Sequence, residues 1–329
     1  VAEPLVSILI PCHNAAPWLA ATLASARAQT WPRREIILVD DGSTDGSLAL
    51  AHSLAGPDLR IFTQKNAGQC AALNQGLREA RGDYFQYLDA DDLLAPEKIS
   101  HQLALLRPHA SDTLATCSWA RFTHEPSEAR FAPEPIWRDH RPVDWLISSW
   151  SGGGMMHGAA WLIPRNVAER AGAWDERLSL INDLDYFTRL VLASRRVVFC
   201  PAARTYYRAH QGTSLSGSKS RSAWDSAFLA TATAASALLA RENSPRTRRA
   251  AADNLQRLLF GAYPYAPDLV KKAERRVREL GGSSIKPGGG RMFQGLRRII
   301  GWKLARRLQV AARKSRAAQS RSPHDHATP

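Results

Sequence analysis

The sequence predicts an α/β fold, a mostly parallel sheet covered by helices on both faces, with a C-terminal helical extension. Three observations predict it. Short apolar runs alternate with helix-period segments over the first hundred residues. Each of the first four runs ends in a polar cluster. After Gly217 the alternation stops and only helical patterns remain.

Taken in order, Val6–Ile10 predicts a buried strand ended by Pro11. Trp18–Ala28 follows as a helix, with Leu19, Leu23 and Ala26 at helical spacing. Ile36–Val39 predicts the second strand, and its Asp/Gly/Ser/Thr cluster caps a helix from Gly46 to Leu54. Leu59–Thr63 and Tyr84–Leu88 are the third and fourth strands, each followed by a helix, Gln69–Ala80 and Pro96–Leu106. From Ala110 to Ser151 the pattern blurs into strands or loops beside the sheet. Beyond it, Ala159–Ile163, Val197–Cys200 and Thr205–Tyr207 predict strands, and Leu184–Ala193 a helix. Ala223–Arg241, Pro245–Phe260 and Pro267–Leu280 predict helices, and Gly281–Gly290 a flexible linker. The expected organisation is an α/β unit over 1–216, a helical extension over 217–285 and a basic tail over 286–329.

Charge is unevenly placed. Of 44 Lys+Arg and 30 Asp+Glu in 329 residues, 16 basic and 3 acidic residues lie between Val270 and Pro329. The first 269 residues keep 28 basic and 27 acidic, so the body is nearly neutral and nucleic acid is not an expected partner. Cys12, Cys70, Cys117 and Cys200 are scattered without metal-like spacing and predict core thiols in a reducing compartment. Val1–Pro4 holds no basic residue and Leu5–Ile10 is short for a leader's apolar region, so a cytoplasmic location is expected. Trp145–Pro164 and Ser226–Ala240 are uncharged, yet too rich in Gly, Ser, Thr and Ala to predict membrane spans.

Ligands of an open parallel sheet bind beyond the carboxyl ends of its strands. Those ends carry Pro11, His13 and Asn14, then Asp40-Asp41-Gly42-Ser43, then Lys65-Asn66, then Asp89-Ala90-Asp91-Asp92. Three carboxylates within four residues repel one another unless solvated or sharing a cation, and Mg²⁺ or Mn²⁺ prefers such oxygen ligands. The same cluster also reads as an acidic turn capping the next helix. No GxGxxG follows the first strand and no GxxxxGK[ST] occurs, so dinucleotide and P-loop phosphate cradles are missing.

Val6-Ser7-Ile8-Leu9-Ile10-Pro11 with Asn14, and Val39-Asp40-Asp41-Gly42-Ser43-Thr44-Asp45, resemble the opening of family 2 glycosyltransferases. Asn66-Ala67-Gly68, Asn74-Gln75-Gly76, Gly82-Asp83-Tyr84 and Leu88-Asp89-Ala90-Asp91-Asp92 continue the resemblance. Gly172-Ala173-Trp174-Asp175-Glu176, Asn182-Asp183-Leu184-Asp185 and Tyr207-Arg208-Ala209-His210 extend it to about residue 215. The resemblance implies a GT-A fold, a nucleotide-diphosphate sugar donor and a divalent metal. By the same resemblance Asp40 and Asp41 hold the nucleobase, Pro11 and Asn14 flank the nucleoside, and Asp89 lies near ribose or sugar. Lys65 belongs to the same nucleotide side. Asp91 would ligate the metal, His210 would contact metal or diphosphate, and Arg208 would neutralise leaving-group charge.

Asp183 is the candidate general base, since inverting transfer needs one carboxylate to take the acceptor hydroxyl proton. A plain helix cap is the alternative. Two departures from the family pattern stand out: Asn182 where Glu is common, and Leu73 where Arg is common. Trp145, Trp150 and Trp161 are either core or sugar-stacking residues. Rival readings are an inactive nucleotide-sugar-binding scaffold and a nucleotidyltransferase, although Pro11–Pro17 holds no Lys or Arg to grip phosphate.

In the tail, Met292, Phe293, Leu296, Ile299, Ile300, Leu304 and Leu308 fall within about half a helical wheel, with Arg291, Arg298, Arg306 and Arg313 opposite. That pattern predicts an interfacial helix on an anionic membrane surface, where each basic residue is worth ~1 kcal/mol. A solvated tail or a partner-binding helix is the alternative. With the family resemblance, it predicts a peripheral enzyme at the inner face of the cell membrane, acting on a glycan or lipid-linked acceptor in surface polysaccharide synthesis.

Overall fold

Strand β1 (Val6–Cys12) is the axis of the molecule. The computed structural model describes residues 3–209 and 220–319, with side chains of the last helix described to Ala312. Parallel to β1 on one side run β2 (Arg34–Asp41) and β3 (Leu59–Gln64), and on the other β4 (Tyr84–Tyr87). The short antiparallel β7 (Ile163–Pro164) closes that edge, in the order β3-β2-β1-β4-β7. Three further strands make a second sheet, β5 (Leu93–Leu94), β8 (Arg196–Arg208) and β6 (Thr113–Phe122), in the order β5-β8-β6.

Alternation along β1 sorts the helices. Ile8 and Ile10 join α1 (Ala16–Arg27) through Leu19 and Leu23, in a layer that also takes Ile99 and Leu103 of α4 (Lys98–Leu106). Leu9 faces the opposite layer with Ala72 and Leu73 of α3 (Gln69–Glu79). Leu19 and Leu23 are fully buried, each stabilising the fold by about 1.5–3 kcal/mol. Helix α2 (Ser47–Ser53) lies against α1 and buries Ala51 in the same layer. The predicted helices on both faces are therefore present.

Pro11 does not end β1. Its ladder with β4 stops at Leu9, so Pro11 and Cys12 pair only with β2, on a stretch that has become an edge, where proline is tolerated. The blurred region contains the ten-residue β6 and a helix, α5 (Pro142–Ser148). The two short strands expected before Arg208 are one, β8, paired along β6 with a register shift between Cys117 and Ser118. Ala159–Ile163 is not a strand. Gly158–Ala160 forms a 3₁₀ turn, Leu162 makes an isolated bridge with Ala115, and only Ile163–Pro164 forms a strand. Trp145, Trp150 and Trp161 are buried, with Trp161 stacked on Phe187, so they are core. All four cysteines are buried and free, as expected.

After α6 (Arg165–Ala171) and α7 (Asn182–Ala193) come α8 (Arg221–Arg241), α9 (Pro245–Ala262), α10 (Pro267–Glu279) and α11 (Arg291–Gln319). Helix α8 shares the main core through Ala230, Ala234 and Leu238, and Thr233 donates to Asp185 of α7 at 2.8 Å. The Gly281–Gly290 stretch is tied down: Ser283 donates to Asp253 and Arg306 to the Gly288 carbonyl. Helix α11 kinks at Gly301 (φ 76°) and docks through buried Phe293 and Ala305 and through Trp302, which packs edge-on to Phe260 and Tyr263. Met292, Ile299, Leu304 and Leu308 remain exposed. The apolar half-wheel is thus split, part docked and part free. Among the described residues, no helix is long and apolar enough to cross a membrane.

Candidate active site

The carboxyl ends of β1, β2 and β3 meet in a hydrogen-bonded rim. Asn14, in the left-handed region at φ 52°, accepts from Thr44 N–H at 2.8 Å, while its own N–H reaches Ser43 at 3.0 Å. Asp41 is committed internally: it accepts from Gln64 at 2.7 Å and from the N–H groups of Ala67 and Gly68 at 2.8 and 2.9 Å. Asp40 is equally buried, and its Oδ2 accepts from Ser43 N–H at 3.1 Å. Its Oδ1 has no hydrogen-bond partner among the described residues. Gly42 between the turn's residues has φ 70°, and a Cβ there would sit 2.8 Å from Asn66 N, so only glycine fits. Pro11 is half-buried and Lys65 exposed on the same rim.

The turn after β4 carries the acidic cluster. Asp92 is fully buried; its Oδ1 accepts the Arg208 N–H at 2.7 Å and its Oδ2 lies 3.0 Å from His157 Nε2. Asp89 Oδ2 is 4.0 Å from the same nitrogen. Ligand atoms of Asp89, Asp92 and His157 all lie within 4.8 Å of one another. Burial opposes protonation of His157, but Asp92, with Asp89 and Asp91 behind it, reverses the balance and raises its pKa. Asp89 keeps 40% of its side chain exposed. Desolvation by the walls and repulsion from Asp92 and Asp91 push its pKa up to about 7. Two carboxylates and an imidazole this close together form a donor set that suits a divalent ion.

Asp91 is half-buried on the same turn. Arg208 is buried, donates to the carbonyls of Asp91 at 2.8 Å and Thr123 at 3.4 Å, and lies 4.3 Å over the Phe122 ring. Its guanidinium therefore braces the acidic turn from behind. His210 lies outside the described residues.

Asp183 stands exposed at the start of α7, with Oδ1 accepting the Leu184 N–H at 2.8 Å. Surrounding protein raises its pKa by desolvation, against the lowering effect of that N–H. The segment before it is anchored by the Trp174 block. Asn74 exchanges hydrogen bonds with the Trp174 backbone at 2.8 and 3.0 Å, and Trp174 stacks on Tyr186 at 3.9 Å. Tyr87 and Tyr186 share a hydroxyl hydrogen bond of 2.6 Å, tying α7 to β4. Asn182 Nδ2 donates to Gln69 Oε1 at 3.1 Å, and Gln69 Nε2 donates to Asp89 at 2.9 Å. A carboxylate at 182 would have no N–H to give Gln69, so the Asn departure changes the wiring beside Asp183.

Two functional candidates escaped the sequence reading. His157 lies in a Gly/Met-rich stretch without periodicity, and Gln69 was read only as a helix start.

Residues 7–169 match glycosyl transferase family 2. An uncharacterized glycosyltransferase of Rickettsia typhi is 32% identical over 193 residues, covering 58% of this chain and 60% of that protein. A cholesterol galactosyltransferase of Borreliella burgdorferi is 40% identical over 115 residues, 34% of this chain and 32% of that protein. The chain thus spans between about a third and three fifths of these relatives' length. In three dimensions, S. aureus TarS residues 1–349, solved in complex with UDP-GlcNAc, superposes with a TM-score of 0.60 at 17% identity, over 85% of this chain and 93% of that one. Sequence match and architecture agree, and the chain belongs to glycosyl transferase family 2, built on the GT-A fold.

Proposed function

We propose that the chain is an inverting glycosyltransferase. It moves a sugar from a nucleotide-diphosphate donor to a glycan or lipid-linked acceptor in cell-surface polysaccharide synthesis. The observation that supports this reading is that the Asn14/Asp40 rim and the Asp89–Asp92 turn follow the carboxyl ends of neighbouring parallel strands, while Gln69 joins Asp89 to Asn182, beside Asp183. The UDP-GlcNAc complex of TarS, on the same fold, supports a nucleotide-sugar donor.

In this reading Asp40 takes a base N–H on its unpartnered Oδ1, with Asp41 holding the β3–α3 turn beneath. Pro11, Asn14 and Lys65 border the nucleoside. A Mn²⁺ or Mg²⁺ ion would be held at the acidic turn by Asp91 with Asp89 beside it, and by His210. It would offset charge on the departing diphosphate. Asp92 stays bound to His157 and the Arg208 N–H, which fixes the turn. Asp183 takes the acceptor hydroxyl proton as that oxygen attacks the anomeric carbon from the face opposite the nucleotide. The basic C-terminal segment brings the enzyme to the inner face of the membrane through charge and exposed apolar side chains.

Calorimetry with nucleoside diphosphates and Mn²⁺ tests the donor half. Asp91→Ala is expected to abolish metal-dependent binding, and unchanged binding would remove Asp91 from the metal site.

A further inference from the structure

The helical segment holds a cavity that sugar transfer does not use. A hollow of about 340 Å³ lies between α8, α9 and α10, walled by Phe228, Ala232, Ala235, Leu239, Leu255 and Leu280. That volume falls within the roughly 300–1,000 Å³ of small-ligand sites. Its rim carries Lys272, Arg275 and Arg276. Glu279 faces Arg276 at 3.2 Å and Arg275 at 3.8 Å, so the rim keeps an excess of positive charge.

The direction in which the hollow opens limits its occupant. Phe228, Ala232, Ala235 and Leu239 recur at helical spacing and form one stripe of α8. The face of α8 turned to the catalytic unit carries Ser226, Ala230 and Thr233, which reach Leu180, the main core and Asp185. At 3.6 residues per turn the two stripes lie on opposite sides of the helix. An occupant of the hollow therefore sits away from the transfer cleft and is not the reacting acceptor.

Apolar walls under a cationic rim are complementary to an apolar chain ending in a phosphate. We propose that the hollow takes an acyl chain of an anionic membrane phospholipid, with its phosphate at Lys272, Arg275 and Arg276. Nearby sequence favours the same surface: 16 of the chain's 44 basic residues lie beyond Val270, and α11 exposes Ile299, Leu304 and Leu308 beside Arg298, Lys303 and Arg307. The inference rests on the membrane reading of that segment and adds a defined lipid site to it.

The experiment uses the full chain and two probes. One is a short-chain phosphatidylglycerol, titrated calorimetrically below its micelle concentration. The other is flotation with phosphatidylglycerol/phosphatidylcholine vesicles. Wild type is expected to bind the monomeric lipid saturably. Ala232→Trp, which fills the hollow, and Lys272→Glu, on the exposed rim, are expected to weaken that binding at least tenfold. Leu304→Glu/Leu308→Glu is expected to float less while binding monomeric lipid as wild type does. Absence of saturable binding, or wild-type binding by Lys272→Glu, would overturn the lipid site, and Lys272→Glu decides if Ala232→Trp fails to fold. Monomer binding without flotation would retain the lipid site and reject the membrane reading.

Discussion

Asp89 and Asn182 are held by the two ends of one amide. Gln69 donates to Asp89 Oδ1 at 2.9 Å and accepts from Asn182 Nδ2 at 3.1 Å. Asn182 in turn accepts the Asp183 N–H at 2.9 Å. Three hydrogen bonds thus set the spacing between the acidic turn and the candidate base. Gln69→Ala should lower kcat about 10–100-fold, since misplacement by an ångström can cost that much. Gln69→Glu should cost more, by placing another carboxylate against Asp89. Steady-state kcat, read beside donor Kd, checks this, and an unchanged kcat would show that the spacing is set elsewhere.

Asp183→Asn should lower kcat by roughly 10²–10⁴, the usual worth of a positioned base, with donor Kd unchanged. The base works only when ionised. Desolvation raises its pKa above the ordinary carboxylate value of 3.8, so activity should fall as pH drops through that raised value. The acid limb of kcat/KM at constant Mn²⁺ reports it, and Asp183→Glu should move the limb.

Asp40 and Asp41 should separate cleanly. Asp41→Ala leaves three donors unpaired, Gln64 Nε2 and the N–H groups of Ala67 and Gly68, and should cost on the order of 3 kcal/mol or more in denaturant unfolding. Asp40→Asn should leave stability within about 1 kcal/mol and weaken nucleotide binding. The reverse pattern would exchange their roles.

Much of this site was legible because β1 to β4 deliver their polar ends consecutively. Asn14, Asp40, Asp89 and Asp91 each stand within four residues of the end of an apolar run, so order along the chain predicts convergence at one sheet edge. His157 was not legible. Its contact with Asp92 depends on how the Gly152–Ala160 turn returns to the sheet, and no period-2 or period-3.6 pattern encodes that path. Val197–Cys200 and Thr205–Tyr207 read as two strands because Pro201 and Ala202 interrupt the apolar run; β6 bridges the interruption by shifting register. In the tail, wheel geometry grouped Phe293 with Ile299. Phe293 is buried against Gly289 and beneath the Arg306 guanidinium while Ile299 stays exposed, so contacts that a wheel does not encode divided them.

Lys98 gives a stability prediction outside the cleft. It is fully buried, hydrogen-bonded to Gln86 and to the Trp161 carbonyl, and desolvation lowers its pKa from 10.5 to about 8. Between those values the unfolded chain binds the extra proton, so this residue's contribution to stability rises with pH across that window. Unfolding free energies at pH 7 and pH 9.5 for wild type and Lys98→Met isolate the effect. Wild type should gain on the variant as pH rises, and a constant difference would contradict the depressed pKa.

The central claim, inverting transfer from a nucleotide sugar with Asp183 as base, is tested most directly by donor turnover. Release of nucleoside diphosphate from a panel of nucleotide sugars, with Mn²⁺ and with acceptor extracts, would be measured for wild type and Asp183→Asn, with the product's anomeric configuration read by NMR. The account predicts turnover of a donor with inversion by wild type, and its loss in Asp183→Asn despite intact donor binding. Retention of configuration, or undiminished turnover by Asp183→Asn, would contradict it.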